Sequence, residues 1–127
     1  MKKQMEDERL RNKNFIDAWK KAFSGIWYGI KTQRNIKVQI VISILVVIAG
    51  LILKLTPLEF IFIVIAIFMV IVAEMINTAI EVTVNLITDK YHELAKIAKD
   101  VAAGAVVLAA INAVIVAILV LVNKFVG

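Results

Sequence analysis

No cysteine occurs among the 127 residues, which excludes a disulfide framework, a thiolate nucleophile and a thiolate metal site. Proline is found once and glycine five times. There are no internal repeats, no low-complexity tracts and no glycine-rich phosphate loop of the Walker type. No basic–aromatic recognition motif accompanies the net charge of +5, so nucleic acid is excluded as a partner and a membrane surface is favoured. The first ~35 residues are charged or amphipathic and lack an early apolar core, so no cleaved signal peptide is expected. From Phe60 to Ala73 there is neither a charge nor a strongly polar side chain.

What the chain has instead is apolar length. It is 61% hydrophobic, and its size suggests one domain, residues 1–127. Three stretches read as membrane spans, at residues 36–53, 58–86 and 97–122. Each supplies the ~20 helical residues that a bilayer requires, the first being near the short limit. Lys54-Leu55-Thr56-Pro57 separates the first two spans, with Pro57 suited to a helix start. Thr88 to Glu93 forms the polar turn between the second and third.

Basic residues orient the spans. Ten of the fifteen Lys and Arg lie at or before Lys37, and Lys90, Lys96 and Lys99 surround the second loop. Only Lys54 and Lys124 mark the other side. The positive-inside rule therefore puts the N-terminus and the second loop in the cytoplasm and the C-terminus outside. Ahead of the spans, about residues 15–31 form an amphipathic helix. Phe15, Trp19, Phe23, Ile26 and Trp27 gather on one side, and Asp17, Lys20, Lys21 and Lys31 on the other. Aromatics opposite lysines suit a helix lying in the membrane surface.

The chemistry is carried by the second span. Glu74, Asn77, Thr78, Glu81 and Asn85 fall within an arc of about 100° of one helix face, while Met75, Ile76, Ala79, Ile80 and Val82 cover the rest. A carboxylate at mid-membrane costs roughly 3 kcal/mol on insertion scales, which makes an intramembrane Glu a functional candidate. If the outer hydrocarbon boundary lies near Phe60, Glu74 sits ~21 Å along the axis and Glu81 ~31 Å. Against a core ~30 Å thick, Glu74 is inside the cytoplasmic leaflet and Glu81 at its water boundary. Such a site suits a reaction between a lipid headgroup and a water-soluble cosubstrate. Ion pathways and proton relays place carboxylates at similar depths. Ala98, Ala102, Ala105, Ala109 and Ala113 form a small-residue seam on the third span that suits close helix packing, and Asn112 reads as an interhelical hydrogen-bonding residue. His92, in the polar turn, reads as solvated or structural.

The run Glu74-Met75-Ile76-Asn77-Thr78-Ala79-Ile80-Glu81 resembles the signature of the small prokaryotic diacylglycerol kinase family, which includes the Gram-positive undecaprenol kinases. Tyr91-His92-Glu93-Leu94 and Ala98-Lys99-Asp100 follow at the family's spacing, and Lys31-Thr32-Gln33-Arg34-Asn35 resembles its stretch before the first span. The likeness runs from about Trp19 to Ile118. It implies an all-α membrane protein with an N-terminal surface helix and three transmembrane helices. It further implies assembly as a helical-bundle homotrimer in the bacterial cytoplasmic membrane. The implied reaction moves the γ-phosphate of ATP, with Mg²⁺, to a lipid hydroxyl at sites shared between subunits. By this resemblance Glu74 is the general base, Asn77 holds the site by hydrogen bonding, Lys99 and Asp100 contact the nucleotide, and Glu81 binds the cation.

Two positions depart from the family pattern. Gln33 stands where an acidic metal ligand is usual, and Asn85 where the signature has Asp. A Gln carbonyl ligates a hard cation without supplying charge. A weakly active or inactive homologue is thus one alternative. A small channel or holin is another, although it leaves unexplained two Glu at the cytoplasmic end of one helix and a second polar block across the turn. The lipid is undecaprenol or diacylglycerol, and the Lys31–Asn35 stretch favours undecaprenol.

Overall fold

A computed structural model describes residues 1–127 as four helices: α1 (Lys2–Thr32), α2 (Arg34–Ile52), α3 (Pro57–Ile87) and α4 (Glu93–Val126). The chain divides into two units, Met1–Gln33 and Arg34–Gly127.

The first unit is α1 alone. It begins at Lys2, well before the expected start near Phe15. The reason is local: residues 2–14 contain no glycine, proline or β-branched residue. They propagate a helix without the apolar periodicity that marks residues 15–31. Along the apolar side the rings stack in sequence, Phe15 edge-on to Trp19 at 6.2 Å and Trp19 stacked on Phe23 at 5.9 Å. The helix ends because Gln33 turns to an extended conformation, its N–H still donating to the Gly29 carbonyl at 2.9 Å.

In the second unit α3 is central. Both α2 and α4 pack against it, α4 along much more of its length, and α2 and α4 do not meet. Ala66 on α3 and Ala102 and Ala109 on α4 are buried, and their small side chains let helix backbones approach closely.

The breaks between helices are specified residue by residue. After α2, Lys54 takes a left-handed conformation (φ 59°), which costs a non-glycine residue some strain. The Leu55 N–H reaches back to the Gly50 carbonyl at 3.0 Å, closing the helix end. Gly50 is required for space here, because a Cβ would lie 2.9 Å from the Phe60 ring. Thr56 then caps α3 in a reciprocal box. Its hydroxyl accepts from the Glu59 N–H (3.2 Å), and the Glu59 carboxylate accepts from the Thr56 N–H (2.9 Å), with Pro57 opening the helix. The far end of α4 is tied to this corner. Lys124 Nζ donates to the Lys54 carbonyl (2.8 Å), and Asn123 Nδ2 to the other oxygen of Glu59 (3.4 Å). At the opposite end His92 is the N-cap of α4, its Nδ1 accepting from the Leu94 N–H at 3.1 Å.

Three helices are long and apolar enough to cross a membrane, and they extend beyond or just short of the spans read from hydropathy. At 1.5 Å per residue, α2 (19 residues) is about 28 Å long and α3 (31 residues) about 46 Å. Only Ile36, Ile63, Ala66, Ala102, Ala109 and Val120 are buried apolar residues, while side chains such as Leu45, Phe68 and Leu108 are more than half exposed. So much contiguous apolar surface is incompatible with a chain surrounded by water. This is a membrane protein.

Candidate active site

The polar face of α3 divides into two parts. The deeper part centres on Glu74, buried at 4% exposure, with Thr78 beside it at 6%. The Thr78 hydroxyl donates to the Glu74 backbone carbonyl (2.9 Å), which satisfies a buried hydroxyl inside its own helix. The Glu74 carboxylate accepts a hydrogen bond from Gln39 Nε2 on α2, at 3.3 Å through Oε1. Asn77 is half-buried, and its Oδ1 is enclosed without a partner, as is Oε1 of Gln39. Unpaired acceptors in an apolar setting cost free energy, so this pocket of the fold is short of hydrogen-bond donors. Glu81, one turn beyond Asn77, is half-buried and makes no side-chain hydrogen bond or ion pair within the chain.

The shallower part joins α3 to α4. Lys99 Nζ donates to Asn85 Oδ1 at 2.7 Å, linking the second polar block to the end of the stripe. Around this contact Asn85, Thr88, Tyr91, Lys96, Lys99 and Asp100 line a cleft of about 290 Å³. Asp100 pairs with Lys96, one turn back on α4, and both line this cleft. Gln33 sits at the C-cap of α1, in the first unit.

Stripe and second block therefore meet through Asn85 and Lys99, and Asp100 opens on the same cleft. No group of three or more Asp, Glu or His side chains is assembled for a metal. The donors that are present nonetheless fit a hard cation. Glu81 supplies a carboxylate with no partner in the chain, whereas Asn77 Oδ1, four residues earlier, is enclosed and not open to a cation. Magnesium is commonly held by one or two carboxylates together with substrate phosphates, not by an all-protein cage.

Gln39 escaped the sequence reading. The signal was there: in the first span only Lys37, Gln39 and Ser43 interrupt the apolar run before Lys54. Ser43 returns its hydroxyl to the Gln39 carbonyl (2.6 Å), whereas the Gln39 side chain crosses to α3.

The sequence pattern of the family described as prokaryotic diacylglycerol kinase matches residues 20–121. Among characterised proteins, the chain is 39% identical over 119 residues to an undecaprenol kinase of Bacillus subtilis (strain 168), covering 94% of this chain and 97% of the relative. It is 41% identical over 104 residues to a diacylglycerol kinase of Synechocystis sp., covering 81% of this chain and 59% of that longer protein.

Proposed function

The chain belongs to the prokaryotic diacylglycerol kinase family, and from that membership we propose that this lipid kinase phosphorylates undecaprenol with ATP. The observation that carries the reading is Glu74, a carboxylate buried on α3 with one oxygen held by Gln39. In the reaction the lipid O–H gives its proton to Glu74. The lipid oxygen attacks the γ-phosphorus of ATP, the new P–O bond forms as the bond to the β–γ bridging oxygen breaks, and ADP leaves. Depth supports the division of labour. A polyprenyl or acyl chain stays in the leaflet with its hydroxyl near Glu74, while the nucleotide approaches from water at the Lys99 end.

Lys99 serves the phosphates, and Asp100 the nucleotide. Asn85 anchors Lys99 through an uncharged acceptor and leaves its positive charge available to the phosphates, which a salt bridge to Asp would offset. Glu81 would hold Mg²⁺ together with the phosphates, with Gln33 at the position of the family's second, acidic ligand, and Asn77 would hold the site by hydrogen bonding. When bound, that ion neutralises charge on the phosphates. Undecaprenol is favoured over diacylglycerol because the Bacillus subtilis undecaprenol kinase aligns over 97% of its length, against 59% for the Synechocystis diacylglycerol kinase. We place the protein in the bacterial cytoplasmic membrane as a homotrimer, N-terminus inside and C-terminus outside, with α1 lying on the inner surface. The excess of Lys and Arg before Lys37 and around the second loop supports this orientation.

The test is transfer of labelled phosphate from ATP to undecaprenol and to diacylglycerol, offered separately to detergent-solubilised protein. Faster labelling of undecaprenol is expected. Preference for diacylglycerol would reverse the substrate assignment, and labelling of neither would refute the kinase reading.

A further inference from the structure

We infer that Gln39 is a positioning residue for Glu74, holding one carboxylate oxygen so that the other stays available to the lipid hydroxyl. The inference rests on the reading of Glu74 as the general base. Its evidence is independent of the signature, because Gln39 lies on a different helix, α2, 35 residues earlier in the chain.

The chemistry of the contact fixes its sense. Gln39 turns its Nε2 toward the carboxylate, so the amide donates and Glu74 Oε1 accepts. That orientation strands Gln39 Oε1, which is enclosed with no partner. A glutamine that served only to knit α2 to α3 would gain nothing from a stranded oxygen, and a leucine would fill the same space at no such cost. Holding the acid in place accounts for the expense. Glu74 Oε1 is occupied by Gln39, while Oε2 takes no hydrogen bond from the chain and is not among the fully enclosed polar atoms. One oxygen is thus fixed and the other left free. A base must lie within hydrogen-bond reach of the proton that it takes, and a three-torsion side chain in lipid needs a second point of attachment to stay there.

The roles separate in kinetics. We would compare wild type with Gln39→Leu, which removes the donor at similar volume, and Gln39→His, which keeps an N–H donor, in the labelled-ATP assay with undecaprenol. Gln39→Leu should lower kcat by about 10-fold with the KM for ATP within twofold of wild type, since the nucleotide contacts are untouched. Gln39→His should recover at least half of the wild-type kcat. Both variants should retain the wild-type melting temperature in detergent. Three results would overturn the inference: Gln39→Leu within twofold of wild-type kcat, an equal loss in Gln39→His, or a kcat loss matched by a fall in melting temperature. A wild type that labels no lipid would instead bring down the kinase reading, and this inference with it. An active wild type with an unaffected Gln39→Leu would bring down this inference alone.

Discussion

Replacing Glu74 with Gln isolates the one property in which the two residues differ, the ability to take a proton. The shapes match, and the amide oxygen of the substituted side chain can still accept from Gln39 Nε2 across the present 3.3 Å. The Thr78 hydroxyl bonds to the backbone carbonyl at position 74, so that contact survives too. Folding should therefore be unchanged, and replacing a carboxylate with an amide lowers the cost of insertion. Positioned general bases contribute about 10²–10⁴-fold to rate, equivalent to roughly 3–5 kcal/mol of barrier. The upper end applies here. At 4% exposure the position admits little bulk water to act as a substitute base. The assay is single-turnover transfer from labelled ATP to undecaprenol, with thermal unfolding in detergent as the control. A fall of roughly 10³-fold or more at an unchanged melting temperature is expected. Transfer within about threefold of wild type would refute the argument from burial and the assignment of the base together.

Gln33→Glu restores a charged ligand where the family has one, so the Mg²⁺ titration of ATP turnover should shift to lower metal concentration by several-fold; an unchanged curve would remove Gln33 from the metal shell. Gly50→Ala places a Cβ 2.9 Å from the Phe60 ring and should lower stability by about 1–2 kcal/mol in thermal unfolding. Because Phe60 lies ~21 Å along α3 from Glu74, kcat for the folded fraction should not change. Glu74→Gln and Lys99→Ala proteins, each inactive alone, should regain activity when their subunits are exchanged. In a 1:1 mixture, about a quarter of the sites in a trimer would combine both wild-type residues from adjacent chains. No recovery would mean that the two residues act from the same chain.

Helix content and order were legible because hydropathy and breakers agree: Pro57 and its capping box start α3, and a polar run separates α3 from α4. The start of α1 was not. Helix propensity without apolar periodicity leaves no contrast to read, and residues 2–14 have the first without the second. The polar face of α3 was legible from the i, i+3, i+4 spacing of Glu74, Asn77, Thr78, Glu81 and Asn85 alone. What crosses between helices was not. Gln39 to Glu74, Lys99 to Asn85 and Asn123 to Glu59 each depend on how the helices dock, and no spacing within one helix encodes that. Asp100 shows the same limit. Its neighbour Lys99 bonds across to α3, whereas Asp100, one step of ~100° on, pairs within α4 with Lys96.

The open flank of the α3 stripe gives the proposed assembly its physical reason. Lys99 is anchored to Asn85, and Asn85 lies eleven residues, or ~16 Å of helix, from Glu74. Phosphoryl transfer requires the acceptor oxygen and the γ-phosphorus to approach within ~3–3.5 Å. A Lys99 that keeps its present partner therefore serves the outer phosphates of the nucleotide, and the γ-phosphate reaches along the stripe toward Glu74. In a cyclic trimer every Lys99 lies at the same depth, so a neighbouring chain would bring a second cation to that end of the stripe and would not shorten the distance to Glu74. The same neighbour would cover the stripe itself. Glu81 is half-buried and unpaired within its own chain, with α2 and α4 not meeting across α3. A carboxylate on that open flank is tolerable only if protein or a water-filled cleft lies against it. We propose that each subunit lends its α4 to the α3 stripe of the next, which would supply that cover.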